Sequence, residues 1–202
     1  FTPTETTSVI FNIDLGDDYG TFCFDNFSFT GQGEDLVLEN LFAQPTTAEI
    51  NEVWNEWNSR DVQAYNWQVL GVGVMSDFDV EVVSHEVEGN THYGLVRYPV
   101  DYDATQNYPI LIVNHGGTNG VNAATLGGYS QGCYRDYFVI VPSFRGETLV
   151  TGSLGLGDLV SDGEVSEFDG DIDDVLALLN GTIDNYVGAD ESQIYVFGGS
   201  RG

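Results

Sequence analysis

The sequence predicts a mixed α/β fold, with a central sheet that opens as an antiparallel hairpin and continues as parallel strands. Three observations predict it. Phe78–Glu88 and His92–Val100 are strand-like, with Gly89-Asn90 between them as a hairpin turn signal. Pro109–Asn114 (PILIVN) and Tyr137–Phe144 (YFVIVPSF) are continuous apolar runs, the pattern of strands covered on both faces of a parallel sheet. Asp171–Asn180 then repeats apolar residues at helical spacing before a further apolar run, Ile194–Phe197, and strands alternating with helices build such sheets.

Ahead of the hairpin the rhythm differs. Val9, Phe11, Ile13 and Leu15 alternate with polar residues, the period of a half-buried strand. After turn chemistry at Gly16–Gly20, Thr21–Thr30 forms a second strand on Phe22, Phe24, Phe27 and Phe29, with a register slip at Asp25-Asn26 where a bulge fits. Two strands do not stand alone in water, so their sheet partners are expected upstream of Phe1. The chain starts at Phe1, carries one methionine, Met75, and shows no charged-then-apolar leader. It is expected to be a window onto a longer protein.

Residues 31–76 read as a connector carrying one short helix. Thr46 and Glu49 make a capping box, and Ile50, Val53, Trp54 and Trp57 follow at helical spacing. The expected organisation is therefore a β-sandwich remnant over 1–30, this connector, and the α/β domain over 77–202.

In the α/β domain, Ile172, Val175, Leu176 and Leu179 form one face of a helix whose first turn is crowded with acids, where the macrodipole favours them. Asn180-Gly181 is expected to end it. Asp169-Gly170-Asp171-Ile172-Asp173 opens like a calcium loop, but Asp174 stands where glycine is needed and Asn180 where the bidentate glutamate belongs. The stretch from Asp158 to Asp174 is expected to be a solvated loop leading into the helix.

Charge narrows the partners. Thirty-two acids against five bases leave a net charge of -27, and all five bases are arginines. Such a field repels phosphate backbones and anionic lipid, which makes nucleic acid and membrane surfaces poor candidate partners. No apolar run approaches the ~18 residues of a membrane span. A lysine-free acidic chain suits an extracellular setting, either a saline medium, where salt screens self-repulsion, or that of an ordinary acidic secreted protein. Cys23 and Cys133 supply neither a disulfide framework nor a zinc set.

Two G-x-S-x-G strings occur, Gly128-Tyr129-Ser130-Gln131-Gly132 and Gly198-Gly199-Ser200-Arg201-Gly202. In a chain with 25 glycines the string alone says little. A serine nucleophile of this type needs a buried strand that ends in a strained turn, which lifts Oγ above the sheet. Ser200 follows such a strand (IYVFG). Ser130 follows the small-residue stretch VNAATLG, and the next strand begins within a few residues. Ser200 is the predicted nucleophile.

The second piece is His115-Gly116-Gly117, directly after PILIVN. Without Cβ atoms, such a turn lets backbone N–H groups approach a substrate oxygen. Paired with the N–H of Arg201, the residue after the serine, it would form an oxyanion hole. His115 is expected to position this loop by hydrogen bonding rather than to transfer protons.

The order PILIVNHGG, YFVIVPSFRG, DIDDVLALL and DESQIYVFGGSRG resembles the N-terminal half of the catalytic domain of prolyl oligopeptidase-like serine hydrolases, within the α/β-hydrolase superfamily. The resemblance covers about residues 78–202. It implies Ser200 as nucleophile, Gly117 and Arg201 as oxyanion donors, and an acid and a histidine that follow the elbow, outside this chain. The string GYSQG is similar to the elbow of cutinase-like hydrolases but falls between two strands. GTFCFDNFSFT resembles the closing strand of jelly-roll carbohydrate-binding-like modules, in which an acid at the position of Asp25 often helps hold a structural calcium. Together these imply a secreted serine hydrolase, with a peptide or an acylated carbohydrate as substrate and no catalytic cofactor. The contrasting expectation is a binding protein whose hydrolase domain is degenerate.

Overall fold

The computed structural model describes residues 44–75, 77–129 and 132–202. The two N-terminal aromatic strands, the calcium reading of Asp25, and Ser130 lie outside the described residues. The chain divides into two units, 1–55 and 56–202.

Helix α1 (Thr47–Asn58) starts where the capping box predicts. The Thr46 N–H donates to Glu49 Oε2 at 2.7 Å and the Glu49 N–H to Thr46 Oγ1 at 3.3 Å, satisfying two donors that a helix start leaves open. The strands that follow are β1 (Tyr65–Met75), β2 (Phe78–Val87), β3 (Asn90–Arg97), β4 (Tyr108–Asn114), β5 (Val121–Asn122), β6 (Phe138–Ser143), β7 (Thr148–Val150) and β8 (Leu159–Val160), then helix α2 (Gly170–Asn185) and β9 (Ala189–Gly198). Six of them form the main sheet in the order β1-β2-β3-β6-β4-β9, while β5, β7 and β8 form a small second sheet.

The mixed α/β sheet expected from sequence is present. β1, β2, β3 and β6 pair antiparallel in succession, and β4 pairs parallel with both β6 and β9. Alternate residues of the buried strands face opposite layers. Val83, Val96, Ile110, Ile112, Phe138 and Ile140 pack with Leu178, Leu179 and Tyr186 of the α2 side. Val82, Leu95, Leu111, Val113, Val139 and Val141 pack with Leu126 and Leu149 on the other.

Four details depart from the sequence reading. Residues 65–75, given to the connector, form β1; register shifts and a positive φ of 50° at Asn66 break the alternation that would have marked a strand. The hairpin turn is Glu88-Gly89, with φ of 52° and 79°, one residue earlier than expected. Helix α2 continues past Gly181 to Asn185, because Gly181 is there for contact: a Cβ on it would lie 2.2 Å from the Trp67 ring. Finally, β9 was expected to be buried. It lies at the sheet's edge, with Tyr195 and Phe197 about half exposed.

The acids of α2 are a further correction. Asp171, Asp173 and Asp174 are buried, whereas Ile172, assigned to the apolar face, is exposed. Arginines make that burial tolerable. Arg145 Nη2 donates to Asp174 Oδ1 at 2.8 Å, and Arg60 Nη1 lies 3.3 Å from Asp173 Oδ2. Arg97, fully buried, donates to the carbonyls of Tyr134 and Tyr137. Arg60, Arg97 and Arg145, three of the five arginines, therefore tie one element to another.

Candidate active site

Sheet order brings the two glycine-rich motifs together. β4 and β9 are neighbours with Asn114 opposite Gly198, so the segments leaving their C-terminal ends emerge side by side. One is His115-Gly116-Gly117. The other is Gly199-Ser200-Arg201-Gly202.

The second segment is a tight turn, closed by the Gly202 N–H donating to the Gly199 carbonyl at 3.1 Å. Its outer glycines lie against each other: a Cβ on Gly198 would sit 2.2 Å from the Gly202 carbonyl carbon, and one on Gly202 would sit 2.5 Å from the Asn114 carbonyl oxygen. The G-x-S-x-G spacing is thus a steric requirement of this turn. At its apex Ser200 has a φ of 60°, left-handed backbone that a side chain rarely adopts, and it is exposed. Gly117 has a φ of 76° on the facing loop. A cavity of about 450 Å³ opens between them, lined by Gly117, Thr118, Glu167, Phe168, Ser200 and Arg201.

Beneath the turn lies a buried charged cluster. The side chains of Arg201, Glu147 and Asp171 are 5%, 0% and 7% exposed. Arg201 Nε donates to Asp171 Oδ2 at 2.8 Å, and Nη1 donates to Glu147 Oε1 and, at 3.1 Å, to the Gly117 carbonyl. Burial opposes the Arg201 charge, but the hydrogen bonds and charges of Asp171 and Glu147 outweigh it and hold its pKa above the ordinary value. Burial also pushes the Asp171 carboxyl up, against the pull of Arg201. His115 Nε2 approaches Glu147 Oε2 at 3.4 Å, an electrostatic approach without hydrogen-bond alignment. Its ring stacks on Phe144, with centroids 4.4 Å apart, and the Arg201 guanidinium lies 5.0 Å from the same ring.

Ser200 and Arg201 on one segment and His115, Gly116 and Gly117 on the other therefore lie side by side. Among the described residues no histidine is hydrogen-bonded to Ser200. His115 faces Glu147, while His85 and His92 are a directly opposed, buried pair on β2 and β3, with His85 stacked on Trp67 and His92 Nδ1 3.4 Å from Asp174. Among the described residues no group of three or more His, Cys, Asp or Glu is placed to hold a metal ion.

Sequence reasoning missed Phe144, Glu147 and Asp171. The signal was in the string Ser143-Phe144-Arg145-Gly146-Glu147, where opposite charges follow at once on a strand buried on both faces. Charges placed there need internal partners.

A glycine-rich loop after one parallel strand and a strained G-x-S-x-G turn after its neighbour make up the layout of an α/β-hydrolase sheet. No family model and no curated protein matches the chain. Solved structures similar to it include an S-formylglutathione hydrolase from Agrobacterium tumefaciens, at 14% identity and a TM-score of 0.43 over 66% of this chain and 53% of that one. An acetyl xylan esterase from Paenibacillus sp. R4 is 15% identical, with a TM-score of 0.48 over 75% of this chain and 50% of that one. Dipeptidyl peptidase 4 of Porphyromonas gingivalis is 14% identical, with a TM-score of 0.35 over 76% of this chain and 19% of that one. The chain spans about half the length of the first two. Its fold assignment stands on its own sheet order, register and strand-turn geometry.

Proposed function

We propose that this chain carries the nucleophile and oxyanion donors of a serine hydrolase that cleaves an ester or amide through an acyl-enzyme. Ser200 Oγ gives its proton to a general base and attacks the carbonyl carbon, and the N–H groups of Gly117 and Arg201 donate to the oxygen as it gains charge. Collapse breaks the ester or amide bond and releases the alcohol or amine, which takes that proton. Water then hydrolyses the acyl-enzyme. The observation that carries this reading is Ser200 itself, held at a φ of 60° above β9 and backed by the Gly116-Gly117 loop.

Since His115 is engaged with Glu147 and His85 and His92 are a buried pair beside Trp67 and Asp174, the general base and its orienting acid are proposed to come from sequence that follows Gly202 in the full-length protein. The 202-residue chain alone is then catalytically silent. A p-nitrophenyl acetate hydrolysis by the isolated chain that disappears in Ser200→Ala would overturn that part of the reading.

A prolyl oligopeptidase-like peptidase is the favoured form, on the resemblance of the four ordered segments over 78–202. The second form is a secreted esterase acting on acylated carbohydrate, favoured by the jelly-roll-like string GTFCFDNFSFT. An amino-acyl or dipeptidyl nitroanilide assayed against acetylated and feruloylated sugars separates the two.

The nucleophile is tested on the full-length protein with a fluorophosphonate probe, mapping the adduct by peptide mass spectrometry. The label is expected on Ser200. Ser200→Ala loses kcat by several orders of magnitude, because triad members act as a unit, and Ser130→Ala stays within a few-fold. A label on Ser130, or full activity in Ser200→Ala, would mean that the cutinase-like string is the true elbow. Absence of both label and turnover would favour a degenerate domain with a binding role.

A further inference from the structure

We propose that Arg201 and Glu147 are positioning residues of this site, which fix the spacing between the Ser200 turn and the Gly116-Gly117 loop. The proposal rests on the serine-hydrolase reading above, in which those two backbone segments supply the oxyanion donors.

The geometry that points to it is the origin of each contact. The guanidinium of Arg201 leaves the turn at the residue after the serine and reaches three other elements. Nη1 meets the Gly117 carbonyl, on the loop after β4, at 3.1 Å. The same nitrogen meets Glu147, on the loop after β6. Nε meets Asp171, in the first turn of α2, at 2.8 Å. Arg201 and Gly117 are the two residues whose N–H groups are proposed to meet the substrate oxygen. One side chain thus joins one donor residue directly to the other. A planar guanidinium with donors in a fixed fork sets that distance in a way that a flexible ammonium does not.

Glu147 completes the clamp from the far side. One of its oxygens takes Arg201 and the other lies 3.4 Å from His115 Nε2, at the root of the oxyanion loop. Phe144 packs against both the His115 ring and the Arg201 guanidinium, at 4.4 and 5.0 Å. The loop after β6 therefore holds each of the two segments separately as well as their junction. A buried ion pair contributes little net stability compared with a well-packed apolar replacement, but it does hold a geometry. Oxyanion donors need that, because a displacement of about 1 Å at such a site can cost on the order of a hundredfold in rate.

The test uses the full-length protein, with turnover of p-nitrophenyl acetate measured alongside hydrogen–deuterium exchange. Arg201→Met is expected to lower kcat by about tenfold or more while KM moves far less, because the contact acts on the transition state. Arg201→Lys recovers part of kcat. Glu147→Gln, which keeps volume and one acceptor, gives an intermediate loss. Exchange in 115–118 rises in Arg201→Met while exchange in β2 and β6 stays as in the parent. Wild-type kcat in Arg201→Met or Glu147→Gln overturns the proposal and leaves the serine-hydrolase reading intact. Should Arg201→Met fail to fold, the isosteric Glu147→Gln decides alone. Loss of kcat with exchange rising throughout the sheet also overturns it, as a general loss of stability. A full-length protein with no Ser200-dependent turnover overturns the function reading, and this proposal with it.

Discussion

Gly116 and Gly199 meet through bare backbone: a Cβ on Gly116 would lie 2.8 Å from the Gly199 carbonyl oxygen and 3.2 Å from Ser200 Cβ. The contact joins the loop after β4 to the turn after β9, and the atom obstructed is backbone, which cannot swing aside. Gly116→Ala is expected to destabilise by about 1–3 kcal/mol, as overpacking does, and to cost activity out of proportion to stability. Urea unfolding read beside kcat in the full-length protein checks both. An alanine accepted with unchanged kcat would mean that the two segments do not need to touch.

The pair Arg145–Asp174 ties the loop after β6 to helix α2, with Asp174 fully buried and Arg145 12% exposed. Removing one partner strands the other charge, so Asp174→Ala is expected to cost about 3–5 kcal/mol. Glu88 also faces Arg145, but its side chain is 53% exposed, so Glu88→Ala should leave the urea midpoint nearly unchanged. Equal midpoints for both variants would count against this account of the buried acids.

Acid should unfold the protein through His85. Burial, reinforced by the neighbouring His92, pushes its pKa down to about 3 from an ordinary 6.5. The unfolded chain therefore binds a proton that the folded chain refuses. Stability is complete above 6.5 and falls as the pH drops toward 3, by about 1.4 kcal/mol per pH unit for this one group. Burial lowers the pKa of His92 as well, partly offset by Asp174, which adds to the loss in the same direction. His85→Phe keeps a ring against Trp67 and removes the titration. Urea unfolding at pH 7.5 and 5.5 should show a smaller pH difference in His85→Phe than in the parent.

Stability should rise with salt. The net charge of -27 is self-repelling and screened at the surface, whereas buried pairs such as Arg201–Glu147 are screened much less. A melting temperature that climbs between low and molar NaCl is the expected result. A flat or falling curve would remove the support for a saline habitat.

Much of the site was legible because it is written in local backbone requirements. A buried strand followed by glycines at fixed offsets marks a turn whether or not its surroundings are known, which is why PILIVNHGG and IYVFGGSRG could be placed on adjoining tasks. The capping box of α1 is local in the same sense. The strand β1 was not legible, because its two glycines and its bulges erase the period-2 signal. Those glycines have a tertiary reason: Cβ atoms on Gly71 and Gly73 would meet Leu156 and Leu154 at 2.8 and 2.7 Å.

The sequence by itself determined the alternation of strands and helix and the two glycine-marked turns that leave β4 and β9. Each follows from chemistry within a few neighbouring residues. Only the tertiary structure decided where the acids go. Asp171 and Asp174 sit in a run that composition alone assigns to solvent, and they are buried because Arg201 and Arg145 reach them from 30 and 29 residues away in sequence. Burial of a charge depends on a partner brought close by the fold, and no periodicity in the run itself records that partner. The same holds for Glu147, which reads as a loop acid until β4, β6 and β9 lie side by side and place it beneath the serine turn.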